Sequence, residues 1–377
     1  MRARRFLRHF LGAVTAVMGL VGAFNLAIDP FDLWDAPQFT RINTIKSIGN
    51  VRFVKPLQAE VRRPETVILG SSRALYGLDP RDFPDPARTY NFGIHALSAT
   101  QMRGYGEHIL ADTPVKKLVI ELGFFEFNKP QSGAPDYDNA ILGRFALLRA
   151  VPIVLFSQEA IGRSGRTITD SRKGAKLFNR RDGFAYFRLD TTKDPVREFL
   201  GVIDQFTTAG GPYGAPQSFE RPMAEYRALL AAAKAKGIEV TTFIAPEHAG
   251  LLVAIDRKGM WPLYLAWERR LVEVSTEMGV PLWDFFGYNA YTTTPLADGY
   301  RTHFDGSHFR PEIGRLILAR MSGAAEPADF GVLLTPDIVE RHLADLEAGR
   351  AVYRRDHAED VARVEAVVDR PALTARQ

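Results

Sequence analysis

Residues 10–28 read FLGAVTAVMGLVGAFNLAI, an apolar run without a charge, bounded by Arg8 and His9 on one side and Asp29 on the other. In lipid the backbone N–H and C=O groups must be satisfied within the segment, which confines such a run to a helix. At about 1.5 Å per residue it reaches roughly 28 Å, close to the thickness of a hydrocarbon core. Arg2, Arg4, Arg5 and Arg8 all precede it. Basic residues are retained on the cytoplasmic side, which predicts a cytoplasmic segment at 1–9, a single-pass anchor at 10–28, and everything after Asp29 on the far face of an inner membrane, in the periplasm or outside. A signal peptide cleaved near Gly22-Ala23 is the competing reading; the length of the run and the lack of an A-x-A pattern before Asp29 favour the uncleaved anchor.

The chain of 377 residues is 46% hydrophobic and 24% charged, the composition of a folded globular protein rather than a disordered one. Its formal net charge is only +4 and its basic residues are scattered beyond the N-terminus, so no nucleic-acid groove is expected. The absence of cysteine excludes disulfides and thiolate metal sites and is compatible with either redox compartment. No H-x-x-x-H spacing suggests zinc, and no cofactor is expected.

Residues 29–63 contain Pro30, Pro37 and Pro56 without a sustained period and read as an irregular stalk. A βα pattern then begins. Residues 66–69 (TVIL) form a short apolar run that breaks into Gly-Ser-Ser, as a buried strand does at its C-terminal end. Residues 89–92 make a second strand ending at Gly93, Ser98 is placed to cap a helix ahead of Gln101, and 115–122 make a third strand. Residues 136–218 read as an insertion, with a helix over 145–156 broken by Pro152 and loop through Gly210, Gly211 and Gly214. Helices at 221–236, 262–278 and 311–321 then alternate with strands at 238–244 and 280–285. This predicts an α/β domain over 64–322, a parallel sheet with helices on both faces, whose ligand site lies beyond the C-terminal ends of the strands. The charged tail at 323–377, helical near 338–346, reads as a solvated appendage.

Gly70-Ser71-Ser72 follows the first strand directly, where a serine hydroxyl at a tight turn is exposed; alone, the tripeptide is ordinary turn chemistry. Far downstream, Asp305-Gly306-Ser307-His308 puts an aspartate three residues before a histidine, just ahead of a helix. A neutral serine is a poor nucleophile and needs a base, and the base needs a carboxylate to fix its tautomer. Asp305 at that spacing can orient His308 toward Ser72. Pro246-Glu247-His248 ends another strand, which makes His248 a candidate substrate contact or an alternative base, although no acid stands three residues before it.

In this order of motifs the chain resembles the SGNH (GDSL-like) hydrolase superfamily, in particular a membrane-anchored bacterial branch related to polysaccharide O-acetylation proteins, over roughly residues 66–321. Gly70-Ser71-Ser72 is similar to the family's G-D-S block, with Ser71 in place of aspartate and Ser72 as nucleophile. Asn91-Phe92-Gly93-Ile94-His95-Ala96 resembles the N-x-x-I-S-G block, with Ala96 in place of the glycine whose N–H serves the oxyanion hole. Asp305 and His308 match the D-x-x-H block. The third block departs from the pattern: in Glu121-Leu122-Gly123-Phe124-Phe125-Glu126, Phe125 stands where the family has an oxyanion-binding asparagine. Losing one such donor typically costs ~2.7–4 kcal/mol in the transition state. Asn128, Asn91 and Arg73 are candidates to replace it or to bind substrate, each with an ordinary structural reading beside the functional one.

The resemblance implies a three-layer, flavodoxin-like sheet and acyl-ester chemistry. Ser72 would attack, His308 would carry the proton, Asp305 would orient it, and the N–H groups of Ser72 and Ala96 would hold the oxyanion. It further implies an esterase, or an O-acyltransferase acting on a cell-envelope polysaccharide or glycolipid and supplied by an integral-membrane acyltransferase partner. The rival reading is a non-catalytic envelope protein that keeps the fold for binding or assembly; Phe125 supports it.

Overall fold

The computed structural model describes residues 2–128, 141–176 and 178–370. Residues 136–140 of the expected insertion and 371–377 of the tail lie outside the described residues. In chain order the elements are α1 (Arg2–Ile28), α2 (Val51–Arg62), β1 (Thr66–Gly70), α3 (Ser72–Gly77), β2 (Thr89–Gly93), α4 (Ala99–Asp112), β3 (Lys117–Leu122) and α5 (Phe124–Asn128). There follow α6 (Ala146–Phe156), α7 (Gln158–Lys173), α8 (Pro195–Thr207), α9 (Glu220–Ala235), β4 (Glu239–Ile244), α10 (Gly250–Arg257) and α11 (Trp261–Met278). The chain closes with β5 (Leu282–Asp284), α12 (Pro311–Met321), β6 (Val332–Leu334), α13 (Val339–Asp356) and α14 (Ala358–Val368).

The described residues form two compact units, one drawn from 2–63, 111–113, 141–176 and 178–181 and the other from 64–110, 114–128 and 182–370. The first is helical. Its α1 is long and apolar enough to cross a membrane. Residues 51–62, read from the prolines as part of an irregular stalk, instead form α2, in which Asn50 Oδ1 accepts the Arg52 N–H at 2.9 Å as an N-cap. Phe53, Val54 and Leu57 are buried there with Phe31, Leu33, Ala146, Ala150 and Val154, and this burial outweighs the backbone hydrogen bond that Pro56 forgoes inside the helix. Pro152 likewise sits within α6 without ending it.

The second unit is built on a six-stranded sheet in the order β2-β1-β3-β4-β5-β6. The first five strands run parallel, with Ile68 beside Asn91 and Val119, Ile120 beside Thr242, and Ile244 beside Asp284. Side chains alternate across a strand. Ile68, Val119 and Phe243 therefore share one face and are buried with Ala74 of α3 and with Ile313 and Ile317 of α12. The opposite face is covered by α9 and α11, joined where Tyr226 OH and Ser275 Oγ lie 3.1 Å apart. The order 2-1-3-4-5 reverses between β1 and β3, and in doubly wound sheets that reversal opens a crevice at the strands' C-terminal ends. The predicted cap of α4 is a reciprocal pair, Gln101 N–H to Ser98 Oγ at 3.4 Å and Ser98 N–H to Gln101 Oε1 at 3.2 Å.

The tail is not the solvated appendage its charge suggests. β6 pairs antiparallel with β5, and Leu343, Leu346, Tyr353, Val361, Val364 and Val367 are buried. His342 Nε2 lies 2.8 Å from Asp284 Oδ2 and 2.9 Å from Glu268 Oε1. Burial alone would depress the imidazole's pKa, but these two carboxylates raise it to about 10, so α13 is fastened to the sheet by an imidazolium between two buried acids.

Candidate active site

Ser72 is the first residue of α3, immediately after β1 and its N-cap Ser71. A helix-opening residue has an N–H without an intrahelical acceptor, so Ser72 offers both a hydroxyl and a backbone donor at the sheet's C-terminal edge. His308 comes from the loop before α12. That loop is clamped by the bridge between His303 and Phe309, by Phe304 N–H to His308 O at 2.8 Å and by Arg310 N–H to Thr302 O at 2.9 Å.

The two segments meet. Ser72 Oγ lies 2.8 Å from His308 Nε2, across 236 positions of sequence, and His308 Nδ1 lies 2.9 and 2.8 Å from the two Asp305 oxygens. With Nδ1–H donating to Asp305, Nε2 is the acceptor for the Ser72 hydroxyl. Asp305 also accepts the N–H groups of Ser307 at 2.8 Å and His308 at 2.9 Å. Burial by itself would raise its pKa, but the imidazole's charge and these hydrogen bonds outweigh burial and hold it below the ordinary carboxylate value.

A cleft of about 530 Å³ opens over this chain of groups, lined by Ser72, His308, Ala96 and Phe125 and, from the far side, by Phe187 and Phe206. Tyr76 and Phe187 enclose the His308 ring, with centroids 5.5 and 5.4 Å away. His95 faces the same cleft, its Nε2 3.5 Å from the Tyr76 hydroxyl. Sequence reasoning assigned no role to Tyr76, His95 or Phe187; only His95, inside the Asn91–Ala96 motif, carried a signal that could have found it. A second cavity of about 590 Å³, near Thr66, Lys117 and Thr241, lies where the strands begin, away from these groups.

Ala96 has φ +47°, a left-handed conformation that costs a non-glycine residue about 1–2 kcal/mol. The glycine of the resembled motif therefore has a conformational reason as well as an N–H, and Ala96 carries strain beside the cleft.

Four candidate residues are placed differently from their expected roles. Arg73 borders the cleft but is buried, its guanidinium taken up by carboxylates: Nε meets Glu121 Oε1 at 2.8 Å, Nη1 meets Glu247 Oε1 at 2.7 Å, and Nη2 pairs with Glu126. Gly123 makes room for it, because a Cβ there would stand 2.6 Å from Nη2. Asn128 is fully buried, its Nδ2 donating to Pro212 O at 2.5 Å and Ala215 O at 3.2 Å while Oδ1 accepts Gln217 N–H at 2.8 Å. It ties a loop and supplies no oxyanion donor. Asn91 Nδ2 donates to Ala74 O at 2.8 Å and Leu78 O at 2.7 Å, locking α3 onto β2. His248 is buried against Phe199, with Nε2 2.7 Å from Thr294 O and its backbone N–H on Gly306 O at 3.1 Å. It supports the loop that carries His308 and does not line the cleft. Its neighbour Glu247 is the more consequential residue, accepting the Ser307 hydroxyl at 3.1 Å while it pairs with Arg73.

One arginine against three buried glutamates leaves excess negative charge. Burial and the charges of Glu121 and Glu247 raise the pKa of Glu126 despite Arg73, so Glu126 holds a proton at neutral pH. Glu121 Oε2 accepts the Ser71 N–H at 2.6 Å and Ser71 Oγ lies 3.1 Å from Arg73 Nε, so the cluster sets the turn that presents Ser72.

Burial lowers the pKa of His248 to about 4 and that of His303, its neighbour at 5.9 Å, to about 3. Both are neutral when folded, whereas the unfolded chain takes up protons on them below about pH 6.5. These two histidines are therefore expected to cost stability as pH drops from 6.5 toward 4, at up to about 1.4 kcal/mol per unit each, against the opposite contribution of Glu126 and Glu268, whose raised values favour the folded state as pH falls. Urea unfolding of wild type and His248→Asn at pH 7.5, 6 and 5 isolates one histidine's share: the variant should lose less stability, or gain more, on acidification, and an unchanged slope in that variant rules the explanation out.

No protein-family model matches the chain, and no curated protein matches it.

Proposed function

We propose that this domain is an SGNH-type serine enzyme performing acyl-ester chemistry on a cell-envelope polysaccharide or glycolipid, outside the cytoplasm and tethered by α1. The observation that carries the reading is the hydrogen-bonded chain from Asp305 through His308 to Ser72 at the mouth of a cleft. The flavodoxin-like strand order and the position of Ser72 after β1 support it.

Ser72 Oγ attacks the ester carbonyl carbon while its proton passes to His308 Nε2, and Asp305 stabilises the imidazolium. The tetrahedral oxyanion is held by the Ser72 and Ala96 N–H groups. Collapse expels the alcohol, which takes the proton from His308, and leaves the acyl group on Ser72. Water resolves that intermediate in an esterase, and a sugar hydroxyl does so in an O-acyltransferase. The apolar lining from Phe125, Phe187 and Phe206 favours transfer, because it keeps water from the acyl-enzyme until the acceptor arrives. Only Phe125 of the Phe124-Phe125 pair serves this purpose; Phe124 packs inward on Tyr264 and Trp267. Membrane tethering suits a transferase fed by an integral-membrane partner.

The purified protein is expected to form a covalent adduct at Ser72 with a serine-directed organophosphonate while hydrolysing small activated esters slowly. Phe125→Asn, which restores a side-chain amide where the ring now packs on Phe206, should raise that hydrolysis by about one to two orders of magnitude, part of the 10²–10³ that an oxyanion donor is worth. Mass spectrometry of the labelled peptide and steady-state rates per folded molecule measure both. The specific observation favouring a binding module is Phe125 in the donor position; no labelling between pH 6 and 9, with no gain in Phe125→Asn, moves the assignment there.

A further inference from the structure

Helix α6 wears its apolar side chains the wrong way round for water. Ala146, Ala150 and Val154, one helical turn apart, face the core of the first unit, whereas Leu148 is 68% exposed and Ile153 42%. Phe145, just before the helix, and Phe156, at its end, continue the same exposed stripe at spacings of three, eight and eleven. Leaving a leucine or isoleucine in water instead of burying it forfeits the favourable transfer of its side chain out of water. The segment contains no acidic residue, and Arg144 and Arg149 are exposed at its N-terminal end.

The neighbour of α6 identifies what covers it. Its C-terminal turn packs on the last turns of α1: the Phe156 ring lies against Gly22, where a Cβ would stand 2.6 Å away, and Asn25 Nδ2 donates to Leu155 O at 2.8 Å. The Ser164 hydroxyl of α7 completes the joint on Asn25 Oδ1 at 2.7 Å. If residues 10–28 are to cross a core of about 30 Å, residues 22–28 occupy its last ~10 Å. A helix resting on residues 22–25 is then held at the boundary of that same bilayer. With a length of roughly 16 Å, α6 is too short to cross.

We propose that α6 is a second membrane-contacting element, seated in the leaflet where α1 ends, with Leu148, Ile153 and Phe156 among the acyl chains and Arg144 and Arg149 reaching lipid phosphates. The proposal rests on α1 spanning the bilayer and is independent of the acyl chemistry at Ser72.

Because the chain has no cysteine, single substitutions give unambiguous labels. Full-length V17C, L148C, I153C and E239C, spin-labelled and reconstituted into phosphatidylethanolamine/phosphatidylglycerol nanodiscs, report collisional access to oxygen and to a water-soluble nickel chelate. Labels at 148 and 153 are expected to show nickel access several-fold below that at the exposed control 239 and oxygen access above it, in the same sense as mid-span residue 17. Nickel access at 148 and 153 equal to that at 239 overturns the proposal. So does exclusion of both reagents, which marks a protein partner or a second copy over the stripe, and so does an aqueous label at 17, which removes the span itself. Organophosphonate labelling of the same nanodiscs reads Ser72 separately, so failure of one reading is not mistaken for failure of the other.

Discussion

Ser72→Ala and His308→Ala are each expected to lower acyl transfer by about four to six orders of magnitude, with the double variant no worse than either single one. In the proposed mechanism nucleophile and base act as one unit, the hydroxyl losing its proton to the imidazole 2.8 Å away. Asp305→Asn should be milder, near 10⁴, because the amide keeps the loop but favours the wrong tautomer of His308. Rates on an activated ester, with circular dichroism to show that each variant folds, measure the series. Ser71→Ala is the internal control. Ser71 caps α3 and meets Arg73, so its loss should cost about 1 kcal/mol of stability without removing the nucleophile. A lethal Ser71→Ala beside a silent Ser72→Ala would transfer the nucleophile to Ser71.

Arg73→Met is expected to destabilise the protein by about 3–5 kcal/mol, the cost of removing one partner from a buried charge cluster, which lowers Tm by roughly 6–20 °C. Glu121, Glu126 and Glu247 are fully buried and share this single guanidinium. Arg73→Lys should recover only part of the loss, because an ammonium lacks the planar fork that reaches three carboxylates at once. The variant also has a pH signature. Without the cation, the burial that already raises Glu126 and Glu247 acts unopposed and raises their pKa values further above the unfolded value. Groups with raised folded values stabilise below the unfolded pKa, and that contribution disappears as pH rises through the folded pKa. The stability gap between wild type and Arg73→Met should therefore narrow as pH falls from 8 to 5. A constant gap in urea unfolding would mean that the arginine contributes packing rather than charge.

The placement of Arg73 shows where reading from sequence stops. An arginine beside a presumed nucleophile reads naturally as a substrate ligand, because arginines are seldom buried. Its burial depends on Glu121 at the end of β3, Glu126 in α5 and Glu247 after β4, and no local pattern announces that the three converge. Between the structural and the functional readings of Asn91, Asn128 and His248 only tertiary contacts decide: a polar side chain faces the cleft or the interior according to which carbonyl lies nearby, and Leu78, Pro212 and Thr294 lie 13, 84 and 46 positions from the groups they satisfy.

What the sequence determined by itself is local. Short apolar runs place β1 to β5 to within a few residues, three of them stopped by glycine at Gly70, Gly93 and Gly123, caps such as Ser98 and closing glycines such as Gly279 bound helices between them, and alternation of the two points to a parallel sheet with covered faces. The spacing of Asp305 and His308 is local too, and one loop suffices to join them. Tertiary structure decided everything that requires two distant segments to be compared. It brought Ser72 to His308, buried a charged tail whose apolar residues are diluted by Arg and Glu, and turned the large side chains of α6 outward. The physical reason is that backbone geometry repeats within a few residues and leaves a period in the sequence, whereas burial and charge pairing are properties of the space between elements and leave none.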